Sequence, residues 1–309
     1  MTAEQLVGGI EAGGTKFVCA IGSGPGAGIR ARAVFPTSRI PDETLAAVLQ
    51  WFRTQQAVFG RLQAIGIATF GPLDLHEGSP TYGHITSTPK PGWAHYDIVG
   101  TVRQTLRVPV GCETDVNGAA LAEWRWGTGR GLRHMAYVTV GTGIGVGAIV
   151  NGELLHGLGH PEMGHSFIPH DRRIDPYAGH CPYHGDCWEG LAAGPAIAER
   201  WGQPAELLPA DHPGWGLEAR YLAYGLANLV YILSPERIVL GGGVSRGGRL
   251  GRAAWLKLVR TLLLETLKGY PQLPALIEGI DRIIVPPGLG DDAGVCGGLA
   301  LALQELQTI

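Results

Sequence analysis

Apolar residues fall along this chain in short β-type runs that break on glycine, and in longer stretches with helical spacing. Three of the short runs share one design. LVGGIEAGGTKFVCAIG (6–22) and AYVTVGTGIGVGAIVNG (136–152) place apolar strands on both sides of a GG or GTG turn, which predicts two β-hairpins. RIVLGGGVS (237–245) is a third run, ending on three glycines. The likeness of the two hairpins points to an internally duplicated architecture. Between the strands lie helical stretches. PDETLAAVLQWFRTQQ (41–56) opens on proline and acids, which suit a helix N-terminus. DVNGAALAEWRWG (115–127) follows the short β-like run VPVGCET, and GLEARYLAYGLANLVYILSP (216–235) is strongly apolar. DAGVCGGLALALQEL (292–306) is rich in small residues and is expected to pack on a sheet. Strands alternating with helices predict an α/β fold.

Composition narrows the class. The 309 residues are enough for two domains or one large one, and 45% hydrophobic against 17% charged residues is a globular balance. A net charge of −3 gives no general attraction to nucleic acid or anionic membrane. Many of the 49 glycines cluster beside apolar runs, as where backbone approaches a ligand closely. Five cysteines (Cys19, Cys112, Cys181, Cys187 and Cys296) make a poor disulfide framework and fit a reducing compartment. MTAEQLVGG does not read as a signal peptide, and no apolar run approaches the roughly 18 residues of a membrane-spanning helix. The expectation is a soluble, cytoplasmic protein. Cys19, Cys112 and Cys296 are expected to be small buried residues without a functional role.

HCPYHGDCWEG (180–190) changes the picture most. Cys181-x2-His184-x2-Cys187 sets three zinc-type ligands in one tight loop. Tetrahedral zinc needs a fourth, and His160, His165, His170 and His180 are all near enough in sequence to supply it. Four protein ligands leave no open position for water, so such a zinc is structural, ordering a loop that otherwise has little core. No Walker loop is present. GGTK (13–16) and GTGIGVG (141–147) are turns in which several N–H groups can point at one anion, and GGG (241–243) adds a third.

These motifs in this order, with GGIEAGGTK, ETDVNGAALAE, GHPEMGHSF and IVLGGGVS, resemble the ROK family (repressors, open reading frames, kinases) of the actin-like ATPases. FGPLDL (70–75) and TYGHITSTPKPGW (81–93) are similar to its bacterial fructokinase branch. The resemblance spans essentially the whole chain. It implies an α/β fold of two actin-like (ribonuclease H-like, ASKHA) domains with an interdomain cleft and an inserted zinc loop. The first domain is expected at 1–116, completed by a helix at about 290–309. The second is expected at 117–289, with the zinc loop at 165–190.

The implied activity is phosphoryl transfer from Mg2+-ATP to the 6-hydroxyl of a hexose, with D-fructose favoured. Gly13, Gly14, Thr15 and Lys16 match the first phosphate loop, Gly141, Thr142, Gly143 and Gly145 the second, and Gly241, Gly242 and Gly243 the adenosine side. Asp115 matches the catalytic base, a role phosphoryl transfer needs filled. Its plain alternative is a helix N-cap. Asn117 often accompanies that base and can serve the turn. Glu162, His165 and Glu189 match sugar-binding positions. His165 also becomes the fourth Zn2+ ligand, with one ring nitrogen on the metal and the other on the sugar. Two positions depart from the family pattern. Glu11 stands where many members have aspartate, and Thr114 where glucose-type members have asparagine, which weighs against glucose. The resemblance implies a homodimer with a small-molecule sugar and ATP as partners. With only about seven residues before GGIEAGG, a DNA-binding module is not expected.

Overall fold

The computed structural model describes residues 5–76 and 78–308. It divides into two compact units. One comprises Met1–Arg130, Leu154–Pro161 and Gly288–Ile309, the other Gly131–Glu153 and Glu162–Pro287.

The first unit is built on five strands: β1 (Val7–Ala12), β2 (Lys16–Gly22), β3 (Ile29–Pro36), β4 (Ile65–Thr69) and β5 (Val110–Thr114), in the order β3-β2-β1-β4-β5. β1, β2 and β3 run antiparallel, and β1, β4 and β5 are parallel. Strand alternation divides the apolar side chains between the faces. Phe17, Cys19 and Ile21 share one core with Val48 and Phe52 of α1 (Pro41–Phe59) and Val99 and Val102 of α2 (Ile98–Leu106). Val18 and Ala20 share another with Val295 and Leu299 of the C-terminal helix (Ala293–Thr308). That helix comes close to the sheet where the strands carry glycine and offer no side chain beneath it. A Cβ on Gly9 would stand 2.9 Å from the Val295 carbonyl, one on Gly111 2.9 Å from the Leu301 carbonyl, and one on Gly66 2.5 Å from the Ala302 nitrogen.

The second unit repeats the design. Its strands are β6 (Met135–Val140), β7 (Ile144–Val150), β8 (Glu153–Leu154), β9 (Arg237–Gly241) and β10 (Ile284–Val285). Read from the hairpin outward, β8-β7-β6-β9-β10 matches β3-β2-β1-β4-β5 position for position, with β6/β7 antiparallel and β6, β9 and β10 parallel. The duplication expected from the two glycine hairpins is therefore a duplicated topology, the actin-like pattern. The core gathers Val138, Val140 and Leu240 with Trp188 of α4 (Trp188–Ala192), Ile197 of α5 (Gly194–Trp201), Leu222 and Leu226 of α6 (Gly214–Leu233) and Trp255 of α7 (Arg252–Leu267). Two single-turn helices, α8 (Pro274–Ile277) and α9 (Ile280–Ile283), precede β10. No helix among the described residues is long and apolar enough to cross a membrane.

The boundaries differ from those expected. Helix α3 (Asp115–Arg125) belongs to the first unit rather than opening the second. Its Gly118 sits against Ala68 of β4 and Gly297 of the C-terminal helix, so α3 is part of that core. The chain also returns to the first unit at Leu154–Pro161 before the Cys/His-bearing loop begins. Hairpin and helix positions follow the sequence pattern closely, and the 115–127, 216–235 and 292–306 stretches become α3, α6 and the C-terminal helix.

Candidate functional site

In the first unit, Ala12, Thr69 and Thr114 stand in register at the C-terminal edge of the parallel strands. Glu11, the Gly13–Lys16 turn and Asp115 therefore sit at one edge of the sheet. The Thr114 side chain caps α3 by accepting from the Asn117 N–H at 3.2 Å. This removes the plain alternative for Asp115, because the cap is already supplied. Asp115 is the first helical residue, and its Oδ1 accepts the Val116 N–H at 2.9 Å. Burial pushes the Asp115 carboxyl up to about 6. Burial, and then the like charge of Asp115, push Glu11 up to about 7, against the pull of Lys16 and Arg32.

The first glycine turn is closed by Gly13 N–H donating to Lys16 O at 3.0 Å. Thr37 braces it, donating N–H to Thr15 O at 3.0 Å and its hydroxyl to Gly13 O at 2.8 Å. Lys90 was not singled out by sequence, yet its Nζ stands 2.9 Å from where a Gly14 Cβ would be. The signal was the TPKPGW string itself. Trp93 in that string is fully buried, rings against Phe17 and Phe70, and donates Nε1–H to Ser38 O at 2.9 Å. That anchor holds the lysine's loop against the turn.

In the second unit, Gly141 N–H donates to Gly143 O at 2.9 Å, and Gly194 N–H at the start of α5 donates to Gly141 O at 2.7 Å. Thr142 is exposed at the tip, and Gly145 lies in β7. Thr139 and Gly241 pair across β6 and β9, so the 141–143 turn and Gly241–Gly243 leave the same edge of that sheet. Gly242 has φ +88° and packs on the Val140 backbone, a position only glycine fills without strain. Glu189, in the first turn of α4, accepts the Ile144 N–H at 2.9 Å.

His165, Cys181, His184 and Cys187 converge. One ligand atom from each lies within 4.8 Å of every other. Cys181 Sγ is 3.7 Å from His165 Nδ1 and 3.6 Å from His184 Nδ1, and Cys187 Sγ is 3.6 Å from His165 Nδ1. Tetrahedral bonds of about 2.3 Å to sulfur and about 2.0–2.1 Å to nitrogen put S and N roughly 3.6 Å apart, so the donor set fits zinc. The other candidates are engaged elsewhere: His170 with Asp186 and the Asp175 carbonyl, His180 with Glu199, and His160 with the Leu73 N–H. His165 turns its remaining nitrogen toward Glu189, with Nε2 4.0 Å from Oε1. Glu162 precedes the single 3-10 turn Met163–His165, and its carbonyl accepts the His165 N–H at 3.0 Å.

The Cys/His loop has more core than its composition implied. Asp175 is 3% exposed, accepts from the Tyr221 hydroxyl at 2.7 Å and pairs with Arg200 at 3.1 Å. His170 bridges that group to Asp186, between two of the converging residues. Cys19, Cys112 and Cys296 are buried and unbridged, as expected. The pair Glu113 and His156 was also missed by sequence: Glu113 opens the ETDVNGAALAE motif without standing out in it, and His156 lies in none of the motifs.

Glycine turns at the equivalent edge of two sheets with matching topology, an uncapping aspartate and a Cys/His cluster form a combination that comparison with known proteins identifies. The model of the ROK family matches residues 7–305. A protein of Bacillus subtilis (strain 168) is 49% identical over 304 residues, covering 98% of this chain and 97% of its own. A fructokinase of Zymomonas mobilis is 43% identical over 308 residues, covering 97% of each chain. Among solved structures, a ROK hexokinase from Thermus thermophilus superposes with TM-score 0.78 at 28% identity, covering 98% of this chain and all of its own. With the family model matching nearly end to end, this chain belongs to the ROK family.

Proposed function

We propose that this chain is a fructokinase, transferring the γ-phosphoryl group of ATP to the 6-hydroxyl of D-fructose. The observation that carries the phosphoryl-transfer reading is Asp115, a carboxylate released from capping duty by Thr114 and raised toward neutrality by burial. A base with that titration is ionised at pH 7 yet still basic enough to take a proton. Asp115 accepts the 6-hydroxyl proton as the sugar oxygen bonds to the γ-phosphorus. The bond from that phosphorus to the bridging oxygen breaks, and ADP leaves.

The turn-closing bonds use the N–H groups of Gly13 and Gly141, leaving those of Gly14, Thr15, Thr142 and Gly143 outside them. With Gly145 and Lys16 these are the groups we assign to ATP phosphates, and Gly241, Gly242 and Gly243 to the adenosine side. Glu11 is suited to a magnesium-bound water, because a cation beside it relieves its repulsion from Asp115. Magnesium when bound neutralises phosphate charge. Glu162, Glu189, Thr114 and the outer nitrogen of His165 are assigned to sugar hydroxyls. His165, Cys181, His184 and Cys187 are assigned to a structural zinc, whose closed donor set leaves no catalytic position. Fixing Nδ1 on the metal sets the His165 tautomer and makes Nε2–H a directed donor.

The choice of fructose rests on relatives named fructokinases at 39% and 43% identity over nearly the whole chain, against 30% over 69% of it for a glucokinase. A cytoplasmic homodimer belongs to the same reading. Steady-state kinetics on fructose, mannose and glucose with Mg-ATP test it. The expected outcome is the highest kcat/KM on fructose. A tenfold preference for glucose or mannose removes fructose, and no turnover on any hexose removes the kinase reading.

A further inference from the structure

We propose that Glu113 and His156 act as a positioning pair that fixes the turn bearing Asp115. This rests on the kinase reading above for its effect on turnover, but the pair itself is a feature of the first unit alone.

Glu113 precedes Thr114 in β5 and is 6% exposed. A carboxylate so buried is tolerated only when its oxygens are satisfied. Oε2 accepts from the Thr114 N–H at 3.1 Å and from Asn117 Nδ2 at 2.9 Å, and Oε1 pairs with His156 Nε2. Thr114 and Asn117 are also the two residues that close the α3 cap. One carboxylate therefore grips both ends of a four-residue turn, and Asp115 stands inside it. Glu113 is not placed on Asp115 or on substrate; it acts through the turn.

His156 is the outer half of the device. It lies on Leu154–Pro161, the segment that leaves the second unit, packs with the first and leads directly to Glu162. The hydrogen bond to the Glu113 carboxylate raises the His156 titration. The same segment is fastened a second time by His160, whose Nε2 accepts the Leu73 N–H at 3.0 Å. Burial lowers the His160 titration, which suits a neutral acceptor. Removing the His156 ring strips one partner from a buried carboxylate, and the turn should loosen before the fold does.

The test uses the full-length, zinc-loaded chain with H156A and H156Q, the glutamine retaining a donor to Glu113. For H156A, kcat on fructose is expected to fall at least about tenfold, with KM for fructose and ATP within about threefold. H156Q is expected to recover to within about threefold of wild type. Hydrogen exchange at the amides of Thr114 and Asn117 is expected to quicken in H156A and not in H156Q, a readout that needs no turnover. Wild-type kcat in H156A, a rise confined to the fructose KM, or unchanged amide exchange overturns the proposal. H156Q as impaired as H156A does so too. A wild-type chain inactive on every hexose strikes the kinase reading instead, and the exchange data still decide the pair.

Discussion

Replacing Asp115 by asparagine exchanges a carboxylate for an amide of nearly the same shape, whose Oδ1 can still accept the Val116 N–H. The variant should lose turnover and gain stability, and both follow from one cause. Burial has moved the Asp115 carboxyl from 3.8 to about 6. At 1.36 kcal/mol per tenfold change in proton affinity, that is roughly 3 kcal/mol, and partial solvent exposure of the group reduces it to about 1–3 kcal/mol. The sign follows from the direction. With the folded state holding its proton more tightly than the unfolded chain, the contribution to stability is complete below 3.8 and is lost as pH rises through about 6. At pH 8 the wild type bears the full cost of a buried charge, and asparagine does not. For a unit of this size 1 kcal/mol shifts Tm by about 2–4 °C, so Asp115→Asn should melt roughly 2–12 °C higher at pH 8. The gap should narrow at pH 4.5. Its kcat should fall by about 10²–10⁴-fold. Thermal unfolding at both pH values without magnesium or nucleotide, beside a coupled assay for ADP release, reads both effects. Equal Tm at pH 8 would refute the strained carboxylate, and wild-type kcat would remove Asp115 from the mechanism.

Two further outcomes follow from the metal loop and the sheet. Cys181→Ser removes one of four donors, so zinc measured by plasma emission should drop below one per chain and the fructose KM should rise at least threefold. Stoichiometric zinc with an unchanged KM counts against the proposed site. Gly66→Ala places a methyl group on the Gly298 carbonyl and the Ala302 nitrogen of the C-terminal helix, backbone atoms that cannot rotate away. It should cost at least about 3 kcal/mol in urea unfolding, or yield insoluble protein. A loss under 1 kcal/mol would mean that the helix can lift from the sheet.

Local chemistry explains what the sequence by itself determined. The GG and GTG hairpins, the helix at 115–127 and the Cys-x2-His-x2-Cys loop are set by residues within a few positions of each other, so turn preference and ligand spacing are readable directly. The family resemblance extended that reading across the chain, adding the expectation of two actin-like domains and of His165 as a fourth ligand. Tertiary structure decided what depends on residues far apart. Which histidine joins Cys181, His184 and Cys187 depends on where His160, His170 and His180 find other partners, and no spacing reports that. The unit boundary moved from 116 to 130 because α3 packs through Gly118 on Ala68 and Gly297, a contact spanning more than half the chain. Lys90 reached the Gly14 turn through burial of Trp93, and His156 reached Glu113 through the return of Leu154–Pro161 to the first unit. The cap at Asp115 was also decided in three dimensions. Its sequence position allowed Asp115 to be the helix cap, and in the fold the Thr114 hydroxyl takes that place.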